Sequence, residues 1–165
     1  MIEIVKLSGE DWGIWRELRL AALAEAPYAF GSRLSDWRGD GDKELRWRDR
    51  LTIPGSHNVV AVLDGAPVGM ASGVPAGRDG QVELISMWVA PAARGRGVGD
   101  RLIEAIESWA VLACGAVELR LAVMPGNEKA IALYRRAGFA ETGELGDPAP
   151  DGQGRELVLA KALHA

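Results

Sequence analysis

The run Val89-Ala90-Pro91-Ala92-Ala93-Arg94-Gly95-Arg96-Gly97-Val98-Gly99 joins an apolar strand to a helix through a loop with alternate glycines and two arginines. It commits the middle of the chain to a strand, a tight loop and a helix in that order. Val117 to Val123 alternates as a further strand, so the unit completes one β-α-β crossover. Glycine lets a ligand approach the backbone closely, and the first N–H groups of a helix starting near Gly97 have no partner inside the helix. A pyrophosphate can supply that partner. The helix dipole and the guanidinium groups of Arg94 and Arg96 favour the same negative charge, so three independent features point to an anion.

Two common phosphate motifs do not fit. The Walker pattern needs Gly-Lys-Ser/Thr at the end of the loop, where Gly99 is followed here by Asp100 and Arg101. The dinucleotide fingerprint needs a third glycine or alanine where Leu102 stands, and its strand should open the chain instead of falling halfway along it.

With 165 residues, 48% of them apolar, the chain suits one domain over residues 1–165 with a sizeable core. No stretch is long or apolar enough to predict a membrane span. Met1-Ile2-Glu3-Ile4-Val5-Lys6 lacks the basic region and apolar run of a signal peptide, so the cytoplasm is the expected compartment. Cys114 is the only cysteine, which excludes an internal disulfide, and its apolar setting predicts a buried thiol. Net charge is -4 and the basic residues are spread along the chain, which argues against nucleic-acid binding. His57 and His164 have no ligand-spaced partners; both read as surface residues and no metal site is expected.

Along the chain, Ile2, Ile4 and Leu7 begin a strand, and Ser8-Gly9-Glu10-Asp11 offers a capping box. Trp12, Trp15, Leu18, Leu20 and Leu23 then recur at helical spacing to about Ala24. Ala26-Pro27 stops this helix, and an aromatic, irregular segment leads to a second helix around Glu44 to Leu51. Asn58 to Leu63 and Pro67 to Val74 flank Asp64-Gly65, a hairpin signal, and Gln81 to Val89 forms the strand that enters the glycine loop. The following helix should bury Leu102, Ile103, Ile106, Trp109, Ala110 and Leu112, with Gly115 as its cap. Asn127 to Ala137 reads as a helix closed by Gly138, and Phe139 to Glu144 with Arg155 to Leu163 can pair as a last hairpin.

The loop resembles the acyl-CoA pyrophosphate loop of the GNAT superfamily of N-acetyltransferases, whose pattern Arg/Gln-x-x-Gly-x-Gly/Ala is met by Arg94, Gly97 and Gly99. A second anchor, Asn127 to Phe139, fits the family signature Asn-x-x-Ala-x-x-Leu-Tyr-x-x-x-Gly-Phe at every defined position. The element order β-α-α-β-β-β-α-β-α-β-β carries the resemblance over nearly the whole chain. It implies a single-domain α/β GNAT fold: a mixed, mostly antiparallel sheet of six to seven strands with about four helices. It also implies transfer of acetyl from acetyl-CoA, as co-substrate, to a small-molecule or peptide amine by direct attack. A non-catalytic acyl-CoA-binding or sensing module of the same fold is the alternative. No membrane partner is expected, and pairing of two copies through a sheet edge or the last hairpin is compatible with the pattern.

Asn127, Ala130 and Tyr134 share one helix face, and the small Ala130 leaves room for a ligand chain. By resemblance, Asn127 contacts the CoA arm and the Tyr134 hydroxyl protonates the departing thiolate. Asn127 is also a good helix cap after Pro125-Gly126, and Tyr134 could serve packing. The resemblance further implies a strand that parts from its neighbour, exposing the main chain of Met87, Trp88 and Val89 to the thioester and pantetheine, with Met87 N–H as oxyanion donor. Together with Arg94, Gly95, Arg96, Gly97, Val98, Gly99 and Asp100, these residues are the expected acetyl-CoA site. Strict alternation puts Glu83 on the face of Ile85, Met87 and Val89, where a carboxylate among apolar residues is unusual. It is the candidate general base for the acceptor ammonium; the alternative is a solvent-facing carboxylate. Tyr28, Phe30, Trp37 and Trp47, with Asp36 or Glu44 as cation partner, are candidates for the acceptor pocket.

Overall fold

The N-terminal capping box forms as the sequence predicts: Ser8 N donates to Asp11 Oδ2 at 2.8 Å, and Ser8 Oγ accepts from Glu10 N at 3.3 Å. It turns strand β1 (Ile2–Lys6) into helix α1 (Trp12–Glu25). The computed structural model describes residues 1–27, 34–149 and 154–164. Helix α2 (Glu44–Leu51) and strands β2 (His57–Leu63), β3 (Ala66–Pro75) and β4 (Gln81–Val89) follow. Asp64 and Gly65 take φ of 51° and 86°, the left-handed pair that matches a hairpin turn to the strand twist. After the glycine loop come α3 (Val98–Cys114), β5 (Glu118–Val123), α4 (Glu128–Arg136), β6 (Ala140–Pro148) and β7 (Arg155–Ala162).

The strands form one seven-stranded sheet in the order β1-β2-β3-β4-β5-β7-β6, antiparallel except for β4 against β5. Each face buries its own core. On one, Leu102, Ile103 and Ile106 of α3 and Ile131 and Tyr134 of α4 pack against Leu84, Leu119 and Leu121. On the other, Trp15 and Leu23 of α1 and Trp47 of α2 pack against Val60, Met70 and Trp88. Among the described residues no helix is long and apolar enough to cross a membrane.

Two irregularities in β4 position everything that follows. Met70 pairs with Trp88 and Ser72 with Ile85, so Ala71 faces two residues, Ser86 and Met87: a β-bulge. Ser86 carries it at φ 55°, unusual for a residue with a side chain. The bulge reverses the alternation expected from sequence. Glu83 and Ile85, paired with Val74 and Ser72, lie on the α1/α2 face with Trp88, whereas Met87 and Val89 pack into the α3 core. The second irregularity is that β4 and β5 pair only through Gln81–Glu118, Val82–Leu119 and Glu83–Arg120, then part.

Several local expectations are corrected. Leu112 is 85% exposed and Cys114 is exposed, because in the final turn of α3 both face away from the core before Gly115 ends the helix at φ 61°. Val111 packs against the core in place of Leu112. His57 is half-buried and stacks on Trp109 with ring centroids 5.2 Å apart, so it is no simple surface residue.

Candidate functional site

The parting of β4 and β5 opens a cleft of about 890 Å³. Its vertex is the Glu83–Arg120 pair, beyond which neither strand supplies the other with a hydrogen-bonding partner. Met87, Trp88 and Val89 line it from β4, Ala122 and Val123 from β5, and Asn127, Ala130 and Tyr134 from α4. Of the loop residues, Arg94, Gly95, Gly97, Val98, Gly99 and Asp100 line the cleft. The glycines are there for conformation: Gly95 and Gly97 have φ of 80° and 81°, and no atom lies within 4 Å of where a Cβ would stand on either. That open space lies where the first amides of α3 have no helical partner.

Arg94 does more than wait for an anion. Its Nε donates to Val89 O at 3.0 Å and its guanidinium pairs with Glu25, which also accepts from Trp88 Nε1 at 3.3 Å. The side chain therefore fastens the loop to the end of α1. Arg96 is exposed and is not among the lining residues, so the structure does not bring it to the cleft. Lys129 and Arg136, to which the sequence pattern assigned no role, line the cleft from α4; Arg136 Nη2 lies 3.5 Å from Asp100 Oδ1.

Asn127 occupies the N-cap position of α4 but makes no side-chain capping bond; only its carbonyl engages the helix, accepting from Ile131 N at 3.0 Å. The cap expected from sequence is absent, which leaves the amide side chain to the cleft it lines. Tyr134 is 7% exposed and packs edge-on against Phe139, with centroids 5.9 Å apart. Burial pushes its phenol pKa well above the ordinary value, so the hydroxyl is a donor throughout the physiological range.

Glu83 lines the cleft on the α1/α2 side with Glu156 and Asp147, which the last hairpin brings in. Burial raises the Glu83 pKa, the charges of Glu156 and Asp147 add to the rise, and Arg120 opposes it. Glu156 is raised chiefly by burial too, and accepts from Asp147 N at 3.2 Å. Trp37 lines the cleft, its ring tilted 35° against the fully buried Trp47 with centroids 4.5 Å apart, and lies under the Arg46 guanidinium at 3.7 Å. Neither Asp36 nor Glu44 is among the lining residues, and Glu44 pairs with Arg48 at 2.8 Å. Tyr28 and Phe30 lie outside the described residues.

The cleft thus combines a mid-sheet gap with unpaired strand edges, a glycine-rich helix start at one end and a buried phenol on one wall. Residues 17–139 match the model of the Acetyltransferase (GNAT) family, and the chain belongs to that family. It is 38% identical over 101 residues to an IAA acetyltransferase from Azospirillum brasilense, a match covering 61% of this chain and 65% of that protein. A GNAT-family acetyltransferase from Streptococcus pneumoniae superposes with a TM-score of 0.78 at 19% identity, covering 99% of this chain and 100% of that one. The PaiA N-acetyltransferase from Thermoplasma acidophilum, solved with coenzyme A, gives 0.75 at 19% identity over 98% and 99% of the two chains. At that identity the two structures establish the fold.

Proposed function

We propose that this protein transfers an acetyl group from acetyl-CoA to a primary amine by direct attack. One observation carries the reading: β4 and β5 part at Glu83, with Tyr134 on one face of the opened sheet and the Glu83 carboxylate on the other. A donor and an acceptor can then meet at the gap from opposite sides. The residues fit the co-substrate. The open space at Gly95 and Gly97 beside the free amides of α3 suits a pyrophosphate, Lys129 and Arg136 add positive charge, and the unpaired stretch of β4 suits a pantetheine arm.

Acetyl-CoA supplies an activated acyl group with a thiolate as leaving group. Glu83, its pKa raised and its basicity therefore increased, takes the proton of the acceptor ammonium, directly or through water, and frees the nitrogen lone pair. The N–H of Met87, within the bulge, donates to the carbonyl oxygen as it gains charge. Tyr134 donates a hydrogen bond to the sulfur as the carbon–sulfur bond breaks. With its phenol pushed upward by burial, Tyr134 is a weak acid, so its contribution is charge stabilisation. The second amine proton then passes to the thiolate, giving amide, free thiol and one proton on the base.

The test is thiol release from acetyl-CoA over a broad amine panel, with wild type and Tyr134→Phe. Turnover with a competent amine should fall by about 10²-fold or more in the variant while acetyl-CoA binding is retained. Equal turnover would leave Tyr134 to packing. Tight acetyl-CoA binding without release for any amine would make the protein a binding module.

A further inference from the structure

The acceptor side of the cleft contains a positive charge that the chemistry above does not use. Arg50, on the inner face of α2, lines the cleft and is held by three neutral groups: Nη1 donates to Asn58 Oδ1 at 3.1 Å, and Nη2 to Ser72 Oγ at 3.1 Å and Ser86 Oγ at 2.9 Å. Asn58 and Ser72 are 2% and 0% exposed and are themselves fixed, Ser72 Oγ donating to Asn58 Oδ1 at 2.6 Å and Asn58 Nδ2 to Leu51 O at 3.0 Å. The guanidinium also rests 4.9 Å from the Trp15 ring. Among the described residues no carboxylate lies within ion-pair distance of it. Burial lowers its pKa to about 10, and that of Arg19, which also lines the cleft, to about 10, with the Arg50 charge contributing to the latter. Both stay charged at neutral pH.

Arg50 is half-buried, and a guanidinium withdrawn from water even in part is usually met by a carboxylate, because neutral acceptors repay only part of its lost hydration. Here the protein orients the cation with a polar cradle and leaves it uncompensated, facing a cavity. Beneath the guanidinium, Trp15 also lines the cleft, is 0% exposed, and its Nε1 has no hydrogen-bond partner among the described residues. An oriented cation without a counter-ion and an unmet donor in one wall call for an acceptor that arrives from outside. Ser86, which holds Arg50, is adjacent to Met87, where the acyl carbonyl would lie, so this anion site is a short span from the reacting nitrogen. Farther along the same strand is Glu83, and with Glu156 and Asp147 from the last hairpin it provides the opposite charge.

We infer that the cleft holds a carboxylate-binding subsite built on Arg50 and Trp15, and that the acceptor is a small amino acid whose carboxylate pairs with Arg50 while its amine faces the acyl carbon. The inference rests on the acetyl-transfer reading and adds to it the class of acceptor. It also accounts for the Asn58–Ser72 pair, which keeps the guanidinium turned toward the cavity.

The experiment compares matched acceptors by thiol release: L-amino acids and β-alanine, their carboxamides, and the corresponding decarboxylated amines. Wild type should prefer at least one acid over its amide in kcat/KM by about tenfold or more. Arg50→Gln, which can still bond Asn58 and Ser72, should lower that acid-to-amide ratio by about 10- to 100-fold, mainly through KM. Should that variant fold poorly, Trp15→Phe removes only the second donor, and a drop of about threefold or more in the ratio is expected. Amides or decarboxylated amines used as well as the acids would overturn the subsite while leaving acetyl transfer intact. So would a loss in Arg50→Gln that is equal for acids and amides, the mark of a structural arginine. Absence of release with every amine would overturn the transferase reading itself.

Discussion

Gly97 gives the clearest way to separate what the loop costs in conformation from what it offers a ligand. It caps α3 at φ 81° and ψ 9°, and a Cβ there would meet no protein atom within 4 Å. A side chain at 97 therefore has two consequences: backbone strain and occupation of the space assigned to the pyrophosphate. Asparagine tolerates the left-handed region, whereas valine does not, so Gly97→Asn should cost about 1 kcal/mol or less and Gly97→Val about 2 kcal/mol. For a chain of 165 residues these correspond to melting temperatures lowered by at most about 2–4 °C and by about 4–8 °C. Acetyl-CoA at a hundred times its dissociation constant stabilises the native state by about 2.7 kcal/mol, a rise of about 5–11 °C. If asparagine weakens binding about tenfold, the same concentration gives about 1.4 kcal/mol and about 3–6 °C; a hundredfold loss with valine leaves about 0.4 kcal/mol and under about 2 °C. Thermal melts of the three proteins with and without acetyl-CoA measure both quantities. Equal ligand-induced shifts in all three would refute the loop assignment, whatever happened to the unliganded melting temperatures.

Three further predictions concern pH. Glu83→Gln should lose about 10²-fold in kcat/KM at neutral pH, and the deficit should shrink toward the amine pKa near 10, where the substrate is already neutral; a ratio constant across pH would make Glu83 a positioning residue. Because burial, Glu156 and Asp147 raise the Glu83 pKa above its ordinary 4.5 against the pull of Arg120, the folded state binds the proton more tightly and its stability falls as pH rises through that range. The same variant should thus melt higher than wild type at pH 7 and level with it at pH 4, and a lower melting temperature at pH 7 would contradict the burial argument. Asp42 is the opposite case: hydrogen bonds from Arg16, at 2.7 and 2.5 Å, and from Trp47 Nε1, at 2.8 Å, hold its pKa down to about 2. Its contribution is present above the ordinary carboxylate range and lost as pH falls through 2, so Asp42→Asn should melt below wild type at pH 7 and converge with it in acid; parallel curves would sink the assignment.

Elements governed by local signals were legible from sequence. The capping box at Ser8 and Asp11, the hairpin turn at Asp64-Gly65, the helix Glu44–Leu51 and the strand Gln81–Val89 all form where capping, turn chemistry and periodicity place them. The bulge at Ser86 was not, since no glycine marks it and period-two alternation assumes that every residue advances the pleat. That single added residue moved Glu83 to the other face from Met87. Arg50 was hidden among Arg46, Arg48 and Asp49 as one charge of a solvated helix; its spacing of three from the buried Trp47 was the available clue. Asp147 and Glu156 reach the cleft only through the pairing of β6 with β7, a long-range event that no local pattern encodes.

The three rungs between β4 and β5 have a mechanical consequence. Among the described residues they are the only ladder joining β1–β4 to β5–β7, so the sheet is two panels sharing a short hinge at Gln81–Glu83 and Glu118–Arg120. Widening or narrowing the gap beyond that hinge breaks no interstrand bonds. A ligand lying between the panels would add the missing rungs to both and act as a latch. The stiffness of the molecule then follows how much of it is loaded, and the panel carrying β5, α4 and the last hairpin is the part whose freedom the load removes.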